Sequence, residues 1–127
     1  RRNLREQFAK KLSIEPSDIA VTSIDEAFIQ KALSIVEEHM PDSDFNVDQF
    51  AQKMGASRMQ MHKKFKGLTG QSTSEFIRTI RLKRAAQLLK QKSGSISEIA
   101  YQVGFNHLSY FAECFKKQFG VNPREFK

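Results

Sequence analysis

An internal repeat in the second half of the chain is the feature that most constrains its fold. A shift of 49 positions places FAQKMG (50–55) on IAYQVG (99–104), and a shift of 50 places MHKKFKGLTG (61–70) on FAECFKKQFG (111–120). Each copy predicts a short helix that ends at a glycine, a tight turn, and a second helix with one apolar face. This is the plan of a helix-turn-helix, whose second helix enters the DNA major groove. An ordinary helical hairpin is the alternative interpretation.

The rest of the sequence also has helical periodicity, so we expect an all-α fold in which two helix-turn-helix subdomains are joined by a long linking helix. The subdomains are predicted at about 46–67 and 95–120, and the linking helix at about 73–91. Apolar side chains on more than one side of the linking helix predict packing against both subdomains. A helix of this length spans about 28 Å, which can hold the two second helices roughly 34 Å, or one DNA turn, apart.

Capping residues and glycines indicate where the helices begin and end. Ser72 with Glu75, and Ser95 with Glu98, have the spacing of a capping box at the start of the linking helix and of the second subdomain. The segment GLTGQS (67–72) contains two glycines and predicts a break in the chain. The helix before this segment is therefore expected to end near residue 66.

The N-terminal part of the chain is predicted to be less regular. Residues 1–24 are expected to form a linker from an upstream domain, with a short amphipathic helix at 1–12 and an extended stretch around Pro16. A helix is predicted at 25–39, so that 25–127 forms the helical domain. The chain begins Arg-Arg without a methionine, and we expect it to be the C-terminal part of a larger protein.

Charge is unevenly distributed along the chain. Residues 57–92 contain ten lysines and arginines against one acid, Glu75, whereas residues 1–56 contain seven basic and ten acidic residues. A basic block inside a Phe-rich region favours binding to a phosphate backbone. The alternative is a solvated basic face without a ligand.

Several other classes of protein and site are disfavoured by the sequence. The single cysteine, Cys114, rules out a disulfide framework, and no apolar run is long enough to span a membrane. His39, His62 and His107 are not paired at metal-ligand spacing. The sequence has no phosphate-binding glycine motif and no nucleophile motif, so we expect no cofactor, no metal and no enzymatic activity.

The second copy of the repeat resembles a known family signature. The stretch IAYQVGFNHLSYFAECFKKQFGVNPREF (99–126), together with the residues from about 25 onward, resembles the DNA-binding domain of the AraC/XylS family of bacterial transcription regulators. The resemblance implies a transcription activator that binds double-stranded DNA through two adjacent major-groove segments and contacts RNA polymerase. A protein-interaction module and a non-specific nucleic-acid binder are the alternatives.

The first 28 residues resemble the segment that precedes this domain in hybrid two-component regulators of Bacteroides-like bacteria. This resemblance implies an upstream receiver domain and a phosphorelay. It places this part of the protein in the cytoplasm, without membrane contact of its own, at the end of a larger membrane-anchored sensor. Dimerisation is expected only in the full-length protein.

The family's base-reading positions fall on the second helix of each subdomain. In the first subdomain, Gln60 and Lys63 can hydrogen-bond base edges and Met59 can contact a thymine methyl group. In the second, Glu113 can accept a hydrogen bond from cytosine N4, or is simply a solvated acid, and lysines flanking both helices can contact phosphates. The complete set of predicted DNA-binding residues is Ser57, Arg58, Met59, Gln60, His62, Lys63, Lys66, Asn106, His107, Leu108, Ser109, Ala112, Glu113 and Lys116.

The two subdomains are not expected to contribute equally. Leu108 and Ala112 offer little polar readout, so the second subdomain is predicted to contribute less specificity than the first. Phe111, Phe115 and Phe119 lie off the predicted DNA-binding face and are assigned to the core. On the linking helix, Arg81 and Arg84 are assigned either to phosphate contacts or to pairing within the protein, and the sequence leaves this choice open.

Overall fold

The computed structural model describes residues 23–126, and within this range the chain forms helices and turns without a β-strand. The helices are α1 (Ser23–Glu38), α2 (Val47–Met54), α3 (Arg58–Thr69), α4 (Thr73–Lys90), α5 (Ile96–Gln102) and α6 (Leu108–Phe119), followed by a 3₁₀ turn at Pro123–Glu125. The predicted all-α class is confirmed, with α2–α3 and α5–α6 as the two helix-turn-helix pairs and α4 between them. The helix predicted at 1–12, and most of the linker predicted at 1–24, lie outside the described residues.

The described residues divide into two compact units, and neither unit is continuous in sequence. The first unit comprises residues 23–35 and 47–76, and the second comprises residues 36–46 and 77–126. Helices α1 and α4 therefore each contribute residues to both units. Each unit contains one helix-turn-helix pair.

The core of the first unit is built around Phe65 of α3. Its ring lies 4.5 Å from that of Phe76, 5.8 Å from that of Phe50 and 5.2 Å from that of Phe28. Phe50, Phe65 and Phe76 are fully buried. Aromatic side chains bury large apolar areas, so this cluster holds α1, α2, α3 and the start of α4 together.

The core of the second unit is built around Phe115 of α6. Its ring lies 5.8 Å from that of Phe111, 4.6 Å from that of Phe119 and 5.2 Å from that of Phe126. Phe111 and Phe115 are fully buried, whereas Phe119 is half-buried. The assignment to the core is confirmed for Phe111 and Phe115, whereas Phe119 lies at the edge of this cluster, and Cys114 is buried beside Phe115.

The linking helix α4 is buried on more than one side, as its apolar pattern predicts. Its start is fixed by the predicted capping box, in which the Ser72 amide donates to Glu75 Oε1 at 2.7 Å and the Glu75 amide donates to Ser72 Oγ at 3.2 Å. The buried apolar residues of α4 are Phe76, Ile77, Ile80, Leu82, Ala85 and Ala86.

Two helix boundaries differ from the prediction. Helix α3 continues through Gly67 to Thr69, because Leu68 and Thr69 are buried and the Thr69 hydroxyl donates to the Phe65 carbonyl at 2.7 Å. The helix ends instead at Gly70, which has a φ of 80° and donates to the carbonyl of residue 66. Helix α1 begins at residue 23, two residues before its predicted start at residue 25.

Arg81 organises the second unit from inside. Its guanidinium is buried and donates to the carbonyl oxygens of Met40 at 2.8 Å, Val103 at 2.7 Å and Asp42 at 3.0 Å. The pKa of Arg81 is lowered by burial, and the nearby Asp42 carboxylate offsets part of this effect. Arg84 forms a salt bridge with Glu37 at 2.9 Å. Both arginines therefore pair within the protein, which resolves the choice that the sequence leaves open.

Candidate nucleic-acid interface

The first helix-turn-helix pair has a close turn that sets the direction of α3. Ala51 is buried, and its carbonyl accepts a hydrogen bond from the Ala56 amide at 3.0 Å. Gly55 supplies the positive φ of 79° that this turn requires. Ser57 then caps α3, so the turn and the cap together determine which side of α3 is exposed.

One face of α3 is exposed along its whole length. Met59, His62, Lys63 and Lys66 are exposed, and Met59 is 67% accessible. Their spacing of three and four residues places them on one side of the helix, opposite the buried Met61. This face therefore combines apolar, imidazole and ammonium groups that can contact base edges and phosphates.

Two of the predicted contact residues on α3 already have partners within the protein. Gln60 Oε1 accepts a hydrogen bond from the Ser57 amide at 2.8 Å, and Ser57 Oγ accepts one from the Gln60 amide at 3.1 Å. This capping box leaves Gln60 its amide nitrogen but occupies the oxygen that bidentate recognition of adenine needs. Arg58 lies 3.4 Å from Asp48 in an exposed ion pair.

The second helix-turn-helix pair repeats the turn in a more crowded setting. The Phe105 amide donates to the carbonyl of the buried Ala100 at 2.9 Å, and Gly104 has a φ of 88°. A Cβ at Gly104 would overlap the Arg81 guanidinium and lie 2.6 Å from the Met40 carbonyl oxygen. The turn before α6 is therefore locked by the same arginine that joins the second unit.

Helix α5 begins with the other predicted capping box. The Ser95 amide donates to Glu98 Oε1 at 2.8 Å, and the Glu98 amide donates to Ser95 Oγ at 3.1 Å. The hydrogen bond from the Ser95 backbone, followed by the one with its side chain, lowers the pKa of Glu98. In contrast, His107 at the start of α6 makes no side-chain capping hydrogen bond.

The predicted residues of the second subdomain also lie on one side of their helix. Asn106, Ser109, Glu113 and Lys116 are exposed, at the start of α6 and along one face of it. Leu108 is 42% accessible and Ala112 is half-buried. These two residues line a cleft of about 440 Å³ with Ile96, Pro123 and neighbouring residues of the C-terminal turn. This part of the face is apolar, and the weak polar readout expected of it stays a prediction.

Two further side chains near the start of α6, Tyr110 and Arg78, were not among the predicted contact residues. Tyr110 is 47% accessible and its ring packs at 5.9 Å from that of Phe105, while its hydroxyl lies 3.5 Å from Nη1 of Arg78 on α4. The position of Tyr110, three residues before Glu113 on the same helix, is the signal that could have drawn attention to it. No local pattern indicates Arg78, because its neighbour is 32 residues away.

The basic block is less available to a ligand than its sequence suggests. Lys64 pairs with Asp25 at 3.1 Å, and the arginines at 58, 81 and 84 are engaged as described above. Burial, followed by the charge of Lys90, lowers the pKa of Lys83. Among the described residues of the block, Lys63, Lys66 and Arg78 have no carboxylate partner and lie on or beside the second helices of the two pairs.

The described part of the chain contains no group of His, Cys, Asp and Glu side chains suited to holding a metal ion. Within the same residues, every helix is too short or too polar to cross a membrane.

Comparison with known proteins gives a consistent match. A family model described as a helix-turn-helix domain matches residues 50–127. Histidine kinase P4 of Formosa agariphila is 43% identical over all of this chain, which spans 9% of that protein. An HTH-type transcriptional regulator of Pseudoalteromonas carrageenovora, from the cgkA 5′ region, is 36% identical over 82% of this chain, which spans 61% of it.

Solved structures of similar fold include several transcription regulators. An AraC-type regulator of Chromobacterium violaceum has a TM-score of 0.73 at 31% identity, with 82% of this chain and 92% of that chain covered. The C-terminal domain of AraT, a response regulator of Geobacillus stearothermophilus, has a TM-score of 0.69 at 29% identity, with coverage of 78% and 82%. The DNA-binding domain of the global transcriptional factor AdpA, solved with a target DNA, has a TM-score of 0.67 at 26% identity, with coverage of 75% and 85%.

Proposed function

Because the chain belongs to the AraC/XylS-type family of helix-turn-helix transcription regulators, we propose that it binds double-stranded DNA sequence-specifically, without enzymatic activity. The observation that supports this proposal is the exposed face of α3, where Met59, His62 and Lys63 stand opposite a fully buried aromatic core. Such a helix can enter a major groove while its buried face keeps it fixed to the domain. The similarity to AdpA, whose domain was solved with DNA, supports the same conclusion.

The two helix pairs are proposed to recognise different chemical groups on the base edges. In the first pair, Lys63 donates to guanine O6 and N7, and Met59 contacts a thymine methyl group. In the second pair, Glu113 accepts from cytosine N4, while Leu108 and Ala112 contribute only apolar contacts. The first pair therefore supplies more hydrogen-bonded readout than the second. Lys66 and Lys116 contact phosphates and set the position of each helix.

The proposal extends to a regulatory role within a longer protein. The similarity to histidine kinase P4, of which this chain spans 9%, and to the response regulator AraT supports an output domain of a two-component phosphorelay. In that role the domain activates transcription through contact with RNA polymerase. Dimerisation is proposed only for the full-length protein. Since its target is chromosomal DNA, the domain lies on the cytoplasmic side of any membrane that the longer protein crosses.

Selection of binding sites from random duplex DNA at near-physiological salt tests the proposal. We expect two enriched sequence blocks whose centres are about 10 base pairs apart, because each helix pair occupies one of two successive major-groove segments. A single enriched block would mean that the second pair only grips phosphates. Recovery of the input pool without enrichment would contradict sequence-specific binding by this chain and would favour a protein partner instead.

A further inference from the structure

We propose that Arg78 and Tyr110 form a phosphate clamp beside α6, which holds one phosphodiester of the bound DNA. This inference rests on the proposed function and adds a backbone-binding site to it. Neither residue belongs to the set of DNA-contacting side chains predicted from the sequence. Both lie in the second unit, Arg78 on α4 and Tyr110 in the first turn of α6.

The geometry of the pair brings two donors to one exposed place. Nη1 of Arg78 lies 3.5 Å from Oη of Tyr110, which is at the outer limit of a hydrogen bond. The contact is therefore weak, and it uses the tyrosine oxygen only as an acceptor. The Tyr110 hydroxyl proton and most of the guanidinium donors stay available to a third group.

Neighbouring residues hold Arg78 and Tyr110 in place but do not neutralise the guanidinium charge. The Tyr110 ring packs against the buried Phe105, and the Arg78 side chain is half-buried on α4. The next arginines along α4 have partners, since Arg81 donates to three carbonyls and Arg84 pairs with Glu37. Within residues 23–126, Arg78 forms no salt bridge. Its charge is thus positioned but not neutralised.

A phosphodiester is the ligand that fits these two donors. The guanidinium fork matches the geometry of phosphate oxygens, and tyrosine hydroxyls are common donors to the DNA backbone. Both donors are already oriented, so less side-chain entropy is lost when they bind. Because Ser109 and Glu113 of α6 are exposed beside Tyr110, the clamp would hold a backbone phosphate close to the groove that these residues enter.

The test compares Tyr110→Phe, Arg78→Gln and the double variant of the 127-residue chain, by fluorescence anisotropy on the duplex selected above. Each single variant is expected to bind about 3- to 10-fold more weakly, the range of one net hydrogen bond. The salt dependence of log K should become shallower by about 0.9 in Arg78→Gln and in the double variant, because both lose the charge that neutralises one phosphate. The double variant should lose less than the product of the two single effects, because both donors hold one phosphate.

Arg84→Gln is the matched control, since it removes the same charge from the same helix but from a residue paired with Glu37. It should change affinity by less than 2-fold. Tyr110→Phe keeps the ring against Phe105, so this variant tests the clamp even if Arg78→Gln fails to fold. A duplex with one neutral methylphosphonate should reproduce the loss at a single position in the wild type and cause no further loss at that position in the double variant.

Unchanged affinity and salt slope in the double variant would overturn the clamp, while a Lys63→Ala variant that still weakens binding would leave the proposed function intact. An altered base preference in Tyr110→Phe would also overturn it, because a phosphate contact carries no sequence information. If the wild type binds the selected duplex no better than an unrelated one, both proposals fail together.

Discussion

One buried side chain of this protein satisfies backbone carbonyl groups from several segments at once. This side chain is Arg81, whose guanidinium donates to carbonyls of Met40, Asp42 and Val103. An exposed arginine of the same helix, Arg84, makes only a surface pair. The two residues have the same charge but should differ widely in their effect on stability.

Replacement of Arg81 by methionine should lower the free energy of unfolding by about 3 kcal/mol, because two buried carbonyl groups and one part-buried carbonyl group lose their donor. Arg84→Met should lower it by no more than about 1 kcal/mol, the usual value of an exposed ion pair. Urea unfolding followed by circular dichroism measures both changes. Equal effects of the two substitutions would contradict the assigned role of Arg81.

Lys63 and Gln60 are separated by one helical turn, but their substitutions should have different consequences. Lys63→Ala should relax base preference within one enriched block and leave the thermal midpoint unchanged, because its side chain is exposed and has no acidic partner in the described structure. Gln60→Ala should instead lower stability by roughly 0.5 kcal/mol, because it removes half of the capping box with Ser57. Site selection and thermal melting of both variants separate readout from capping. Uniformly weaker binding to all sequences by Lys63→Ala would show that Lys63 contacts phosphate.

At the scale of elements, the two helix-turn-helix pairs share one plan but differ in how tightly the turn is packed. Gly55 and Gly104 occupy matching positions and both have positive φ. A Cβ at Gly55 would meet no atom within 4 Å, whereas one at Gly104 would overlap Arg81. The first turn requires glycine for its backbone alone, and the second requires it also for space.

Gly55→Ala should therefore cost about 1 kcal/mol, the penalty of a left-handed backbone conformation. Gly104→Ala should cost at least about 3 kcal/mol, because overpacking is added to the same backbone penalty. Chemical denaturation of the two single variants gives the comparison. A cost at Gly104 no larger than that at Gly55 would mean that Arg81 moves aside without loss.

The capping box of α5 gives the protein a pH dependence whose sign can be stated. The pKa of Glu98 is lowered in the folded state by its hydrogen bonds with Ser95, so its contribution is present above the pKa of the unfolded chain and is lost as pH falls through the folded value. Ser95→Ala should lower stability by about 1 kcal/mol at pH 7. The difference between wild type and Glu98→Gln should shrink below about pH 4, the ordinary range of a glutamate. Denaturation curves between pH 7 and pH 3 measure this difference. A difference that grows on acidification would contradict the assigned role of Glu98.

At the scale of the whole molecule, the formal net charge overstates the number of DNA phosphates that the chain can neutralise. The formal charge of the chain is +7, and its basic block is concentrated in residues 57–92. Several of these charges are already engaged within the protein, among them Lys64 with Asp25 and Arg81 with backbone carbonyls. The number of phosphates neutralised should follow the unpaired basic groups near α3 and α6.

The slope of log K against log salt concentration for the selected duplex should therefore be about −4 to −5, which corresponds to about five phosphate contacts. A slope near −9 would mean that the whole basic block contacts DNA and that its internal pairs break on binding. Titrations at several potassium chloride concentrations measure this slope. A slope close to zero would contradict backbone binding altogether.

Local patterns predicted much of this fold, because the Phe row and the Ser72 and Ser95 capping boxes act within a few residues and the repeat presents the same local pattern twice. Ser57 and Gln60 have the same spacing, but both residues are predicted from the sequence to contact DNA, and no capping box is predicted for them. The break expected at Gly67 was wrong, because burial of the following Leu68 outweighs the low helix propensity of one glycine. Partners of Arg78 and Arg81 could not be predicted, because they lie 22 to 41 residues away in sequence.

The discontinuous composition of the two units has an evolutionary consequence. The second unit needs residues 36–46 as well as 77–126, since Met40 and Asp42 supply carbonyl groups to Arg81. A single crossover between two related genes would therefore separate a helix-turn-helix pair from the short stretch that completes its interior. Exchange of half-domains is disfavoured by this interleaving, and new operator preferences would arise more readily through point substitutions on the exposed faces of α3 and α6.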